Sequence, residues 1–136
     1  MPRPSRLLVP LLLVLGLVLT SAPPTSAAPL RQVYVKTVRI GDKPVRFVLA
    51  VDGVRAYVQM KFRRDGRWRT VASDRTDCNY RAGSYDPGIQ VQRADRQVLV
   101  TWANPGDYVV AEYGGFSVRR RTIEMWGSDG GCTDAG

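Results

Sequence analysis

Arginine is the residue type with the clearest chemical potential in this sequence, and it forms two clusters. The first cluster surrounds Trp68 and consists of Arg63, Arg64, Arg67 and Arg69. The second is a run of three, Arg119, Arg120 and Arg121. A guanidinium fork pairs with phosphate, sulfate or carboxylate oxygens, and an indole can stack on a base or a sugar ring. The clusters therefore predict a face that binds polyanions; the alternative is a solvated surface of an arginine-rich chain, with Trp68 in the core.

Strand alternation divides the second cluster. If Phe116 to Trp126 is one strand, Arg119 and Arg121 point to one face and Arg120 to the other. We then expect Arg119 and Arg121 in solvent, and Arg120 partly buried and paired with Glu124 or Glu112. Arg31 and Arg96, which lie elsewhere in the chain, would serve as a matched pair for testing whether anion binding is localised.

Catalytic and metal-binding chemistry finds little support. The chain contains no histidine, which removes Ser-His and Cys-His nucleophile pairs and the commonest zinc ligand. Most of the aspartates lie in turns, where Asp bonds to its own backbone. Glu112 and Glu124 fall in predicted strands and could form a glycosidase-like pair, but salt bridges to the many arginines are the favoured role. We expect no enzyme, no metal site and no cofactor.

Aromatic side chains are the other candidates for ligand contact. Tyr80 and Tyr85 are the best placed to stack on a sugar, because they lie in a long irregular segment, Asp74 to Gly88. Ordinary packing is the alternative, since aromatic residues favour strands. The same segment supports a second function hypothesis, that of a small extracellular inhibitor or toxin-like effector.

The beginning of the chain predicts export. Arg3 and Arg6 precede an apolar run, Leu7 to Leu19, and a stretch of small residues ends at Ala28. That order is typical of a secretory signal peptide, and the run is shorter than the roughly 20 residues needed to span a bilayer. We place cleavage after Ala27, because a cut after Ala28 would leave Pro29 beside the scissile bond. The secreted product would be a single domain, residues 28–136, whose formal charge falls from +8 to +6 with the loss of two arginines.

Two cysteines, Cys78 and Cys132, lie in the exported part. In an oxidising compartment they most simply form one disulfide, although free thiols or an intermolecular bridge are alternatives. Closing the loop between Cys78 and Cys132 would raise the stability of the fold by about 4 kcal/mol in the chain-entropy model. The bridge would hold a Gly-rich tail that has almost nothing apolar to bury.

The exported part is predicted to form about eight short antiparallel strands separated by turn residues. The predicted strands are Gln32–Ile40, Val45–Val51, Val54–Arg63, Trp68–Ser73, Ile89–Arg93, Gln97–Ala103, Tyr108–Tyr113 and Phe116–Trp126. We expect a type I′ hairpin at Asp52-Gly53, another turn at Gly114-Gly115, and a phase change near Lys36-Thr37. The fold class is therefore all-β, a two-layer sandwich of immunoglobulin or fibronectin type or a small barrel.

Two resemblances accompany this interpretation. The stretch Met60 to Val71 resembles paired strands of many secreted bacterial sandwich modules. The whole chain is similar to small secreted proteins of actinobacteria, through its Arg-containing start, its Ala/Pro-rich cleavage region and its 17 Arg against 3 Lys. This similarity implies export and no activity.

Taken together, these features predict a secreted, non-enzymatic binding protein. Its basic surface would contact an anionic polymer (cell wall, polysaccharide or nucleic acid) or a secreted partner protein. The eight residues expected to carry binding are Arg63, Arg64, Arg67, Arg69, Tyr80, Tyr85, Arg119 and Arg121.

Overall fold

The fold consists of eight antiparallel strands in two layers, seen in a computed structural model that describes residues 29–80, 86–103 and 109–129. The strands are β1 (Arg31–Ile40), β2 (Lys43–Asp52), β3 (Arg55–Arg64), β4 (Arg67–Arg75), β5 (Gly88–Gln92), β6 (Gln97–Ala103), β7 (Val109–Ser117) and β8 (Thr122–Asp129). The described residues contain no helix of the length and apolarity needed to cross a membrane. The predicted signal peptide lies outside the described residues.

Each layer is an antiparallel meander in chain order. One sheet has the order β1-β2-β3-β4 and the other β5-β6-β7-β8. The predicted all-β sandwich is confirmed, and the strands form two separate sheets rather than a closed barrel. Immunoglobulin and fibronectin domains connect their strands as Greek keys, whereas here every hairpin joins neighbours within one sheet.

The core lies between the two sheets and is built from alternate residues of each strand. Phe47 and Leu49 of β2 are fully buried, as are Val98 and Val100 of β6. Phe47 meets Phe116 of β7 edge to face, with ring centroids 5.3 Å apart. At one side of the sandwich β4 lies against β8, where an Asp74 Oδ2 atom accepts the Met125 N–H at 2.6 Å.

Local backbone chemistry sets the hairpins. Asp65 and Gly66 have φ of 52° and 73°, the two positive values that a type I′ turn requires. The β2–β3 loop is Gly53-Val54, one residue later than predicted, and only Gly53 of the two has positive φ. That pattern is of type II′, in which glycine takes the first central position. The irregularity in β1 lies at Val33, between Gln32 and Tyr34, and not near Lys36-Thr37.

The predicted turn at Gly114-Gly115 is wrong, because both glycines lie inside β7. A Cβ at Gly114 would come within 2.5 Å of the Glu124 carbonyl oxygen, at the irregularity between β7 and β8. A Cβ at Gly115 would come within 2.8 Å of the Trp126 indole. Both glycines therefore serve close packing by β8 rather than a change of chain direction. The turn between β7 and β8 is formed instead by residues 118–121.

A short segment, residues 76–80, crosses from the first sheet to the second and is bonded to both. The N–H groups of Thr76 and Tyr80 donate to the carbonyls of Ala56 and Val54 at 3.0 and 2.6 Å. On the other sheet, the Trp102 indole N–H donates to the Asn79 carbonyl at 3.4 Å. This crossing segment closes the end of the sandwich opposite the β1–β2 and β3–β4 loops.

Candidate functional site

Alternate turns of a meander lie at the same end of the sheet, and here they bring cations together. The β1–β2, β3–β4, β5–β6 and β7–β8 loops, residues 41–42, 65–66, 93–96 and 118–121, all lie at one end of the sandwich. We call this the basic end. A backbone bond from the Phe116 N–H to the Arg96 carbonyl, 2.9 Å long, ties the β5–β6 loop to β7.

The basic end contains two adjoining clefts. The first has a volume of about 850 Å³ and the second about 840 Å³. They share Lys43, Phe62 and Arg121, so one ligand can reach both. Ile40, Phe62, Phe116 and Val118 contribute apolar side chains to the first cleft. Such volumes fall within the range of small-molecule sites, about 300–1,000 Å³.

Cations dominate the lining of these clefts. Two acidic residues, Asp42 and Asp65, accompany nine basic ones: Lys43, Arg63, Arg64, Arg69, Arg93, Arg96, Arg119, Arg120 and Arg121. Within the part of the chain that the structure describes, none of the nine forms an ion pair with a carboxylate. Their guanidinium and ammonium groups are therefore available to an external anion.

Two of these arginines occupy a backbone conformation that side chains disfavour. Arg96 and Arg121 each end a four-residue loop, with φ of 53° and 57°. The left-handed region costs a residue with a Cβ roughly 1–2 kcal/mol relative to glycine. Strained residues of this kind tend to cluster at functional sites.

Five of the eight residues expected to bind line the clefts: Arg63, Arg64, Arg69, Arg119 and Arg121. Arg67 is exposed but lines neither cleft. Tyr80 is only 7% exposed and belongs to the core, so its ring is not on the surface. Tyr85 lies outside the described residues.

The expectations for Arg120 and Arg96 require correction. Arg119, Arg120 and Arg121 lie in a loop and not in a strand, and all three are exposed. Arg120 forms no ion pair with Glu124 or Glu112 within the described structure. Arg96 lines the same cleft as Arg119 and Arg121, and therefore cannot serve as a distant control.

Sequence reasoning missed Lys43, Arg93 and Arg96 as members of the basic end. A signal was present, since each of these residues lies in a predicted turn or directly beside one. In an up-and-down meander, the first, third, fifth and seventh turns share one end. Cations at those turns are therefore neighbours in space although they are far apart in the chain.

Trp68 is not in the core. It is half-buried on the outer face of the first sheet, and the guanidinium carbon of Arg46 lies 4.0 Å from its ring centroid. Lys61 pairs with Arg46 across β2 and β3. Burial, and secondarily the charge of Arg46, lowers the pKa of Lys61. Trp68 thus packs within a cationic surface, beside Arg63, its partner across β3 and β4.

Glu112 and Glu124 do not form a catalytic pair, because they lie on opposite faces of the second sheet. Glu112 is fully buried and faces the core, whereas Glu124 is exposed. The Glu112 carboxylate accepts the N–H groups of Asp77 and Cys78 at 2.6 and 3.3 Å. Burial raises the pKa of Glu112 to about 7, against the opposing effect of those two bonds. Glu112 thus anchors the crossing segment, which is a structural role.

The remaining candidates concern metals, the long segment and the disulfide. No group of three metal-binding side chains occurs among the described residues. Residues 76–80 of the long segment pack into the sandwich. Inhibition of another protein through that segment stays a prediction. Cys78 is buried beside Glu112, and Cys132 lies outside the described residues.

Comparison with known proteins found no matching family model, no matching curated protein and no matching solved structure.

Proposed function

We propose that the chain is a secreted, non-enzymatic binding protein that contacts anionic polymers through its basic end. The observation that carries this proposal is the grouping of nine basic side chains around two adjoining clefts, with no ion pairs among the described residues. The candidate polymers are nucleic acid, an acidic polysaccharide and anionic cell wall.

The electrostatics favour a polymer over a single small anion. Cations drawn from two loops and from the neighbouring parts of β2, β3 and β4 spread positive potential over the whole end of the sandwich. Such a field attracts polyanions and speeds their association. Each phosphate neutralised by Lys or Arg also releases a condensed counterion, so affinity depends steeply on salt. Arginine forks add bidentate bonds to phosphate or sulfate oxygens.

The test removes three charges from the basic end and, separately, three from the opposite end. The first variant combines Arg119→Ala, Arg120→Ala and Arg121→Ala. The control combines Arg31→Ala, Arg55→Ala and Arg75→Ala, three exposed arginines near the other end of the first sheet. Both variants have the same net charge.

For duplex DNA, the slope of log affinity against log salt should fall in magnitude by about 3 in the first variant, one unit per lost phosphate contact. The control should keep most of the wild-type slope. Heparin elution should follow the same order, with the first variant eluting at lower salt. If both variants change equally, only net charge matters and the localised site is refuted.

The predicted disulfide between Cys78 and Cys132 belongs to the same proposal. A bridge would hold the Gly-rich tail against the crossing segment, where Cys78 is 2% exposed. We expect non-reducing peptide mapping of the secreted protein to recover the two cysteine peptides linked. Recovery of both peptides alkylated without prior reduction would refute the bridge.

A further inference from the structure

The two sheets differ completely in charge. The strands of the first sheet, β1 to β4, contain twelve of the chain's twenty basic residues. The strands of the second sheet, β5 to β8, contain none. The strands of the second sheet therefore offer no cations to an anionic ligand of the kind proposed for the basic end.

An exposed indole lies on this face, whose strands carry no basic residue. Trp126 is 54% exposed. A Cβ on Gly115 would lie 2.8, 3.2 and 3.2 Å from the Cζ2, Cε2 and Nε1 atoms of the indole. These three atoms are consecutive along one edge of the ring system, so this edge of the indole packs over Gly115 of β7. Because Trp126 is 54% exposed, much of the rest of the ring system faces solvent.

Hydrogen-bonding groups surround the indole. Gln92, Gln97 and Glu124 lie in the same cross-strand row as Gly115. Amide and carboxylate groups of this kind can bond to hydroxyls as donors or acceptors. On the same face, the Tyr113 hydroxyl donates to Asp129 Oδ2 at 2.6 Å, which orients a second ring.

A groove beside the indole completes the surface. Its volume is about 620 Å³, and Ser117, Thr122 and Glu124 contribute to its lining together with Trp126. Arg120 reaches this groove from the β7–β8 loop. The groove thus places hydroxyl and carboxylate groups next to an exposed indole.

We propose that the outer face of the second sheet binds a neutral polysaccharide of equatorially linked pyranose units, with one sugar ring stacked on Trp126. The flat C–H face of such a sugar matches a flat indole, and its hydroxyls match the glutamine, serine and threonine side chains around it. A neutral chain also suits strands without cations. Sugar binding here does not require the anionic polymer proposed for the basic end, although Arg120 lines both sites.

Native gel electrophoresis in hydroxyethyl cellulose, with dextran as the comparison polymer, tests the proposal. The same binding is measured in solution in about 0.5 M NaCl, at which exposed charges are strongly screened. We expect the cellulose derivative to retard the wild-type protein and dextran to retard it less. Trp126→Ala should weaken binding by about tenfold or more, the cost of losing one stacking ring.

Two further variants separate stacking from a general effect on structure. Trp68→Ala removes the same residue type from the outer face of the first sheet and should bind like wild type. Gly115→Ala keeps Trp126 but places a methyl group where the indole lies, and should weaken binding although the tryptophan is still present.

Three outcomes would overturn the proposal: no retardation by hydroxyethyl cellulose, equal loss in the Trp126 and Trp68 variants, or a dimer that Trp126→Ala dissociates. The last would identify the face as a protein interface. Failure of DNA and heparin binding at the basic end leaves this result unaffected, so the two proposals can be told apart.

Discussion

Replacement of Gly114 by alanine is expected to lower the free energy of unfolding by about 3 kcal/mol, at the upper end of the usual cost of overpacking. The new Cβ would lie 2.5 Å from the Glu124 carbonyl oxygen, 2.6 Å from Met125 Sδ and 3.2 Å from Val98 Cγ1. The methionine can move aside, but the carbonyl belongs to the backbone of β8. The irregular pairing of β7 and β8 would therefore have to shift.

Gly127 provides the matched control in the neighbouring strand. It pairs with Tyr113 across β7 and β8, and a Cβ there meets nothing within 4 Å. Because alanine loses less conformational entropy than glycine in a strand, Gly127→Ala should be neutral or stabilising by up to about 1 kcal/mol. Urea denaturation of both variants measures the difference. Equal unfolding free energies for the Gly114→Ala and Gly127→Ala variants would show that the packing of β8 does not require a glycine at position 114.

The second large effect expected is a loss of stability as pH rises, caused by Glu112. Burial raises the pKa of this carboxyl from its ordinary value of 4.5 to about 7. Between these two values the folded protein retains a proton that the unfolded chain has released. Stability from this group is therefore fully present below about pH 4.5 and is lost as pH rises to about 7. The loss amounts to about 3 kcal/mol, at 1.36 kcal/mol per pH unit.

Glu112→Gln should abolish the slope of unfolding free energy against pH between about pH 4.5 and 7, since the amide does not titrate. Glu124→Gln removes a carboxylate from the exposed face of the same sheet and should leave the slope unchanged. The measurement is the free energy of unfolding in urea at several pH values across the interval. A wild-type protein whose stability does not fall, or a Glu112→Gln variant with the wild-type slope, would contradict the assignment.

The bonds of Glu112 also explain why a carboxyl is retained at a fully buried position. Its two oxygens accept the N–H groups of Asp77 and Cys78 in the crossing segment. An unpaired buried N–H costs about 1–3 kcal/mol. Glu112 thus offsets its own desolvation by satisfying the backbone of the segment that joins the two sheets.

The sequence by itself determined the elements of this fold, because period-two alternation and turn chemistry are local properties. The number of strands was predicted correctly, and the first six lie within about two residues of their predicted bounds. The β3–β4 turn at Asp65-Gly66 follows from the same local rules. The sequence also predicted that Ala56, Val58 and Met60 of β3 share the buried face, although Gln59 between them is buried as well.

Only the tertiary structure decided which of these local features meet. Glycine is favoured both in turns and beneath close contacts, and Gly114-Gly115 serves the second purpose because Met125 and Trp126 of β8 lie against it. Because Gly114-Gly115 was predicted as a turn, Arg119, Arg120 and Arg121 were predicted to lie in a strand. In the structure β7 continues through the glycines, so the chain turns later and the three arginines lie in the turn. These three arginines lie near Lys43, Arg93 and Arg96 because the two meanders stack on each other. Alternation within single strands does not encode that stacking.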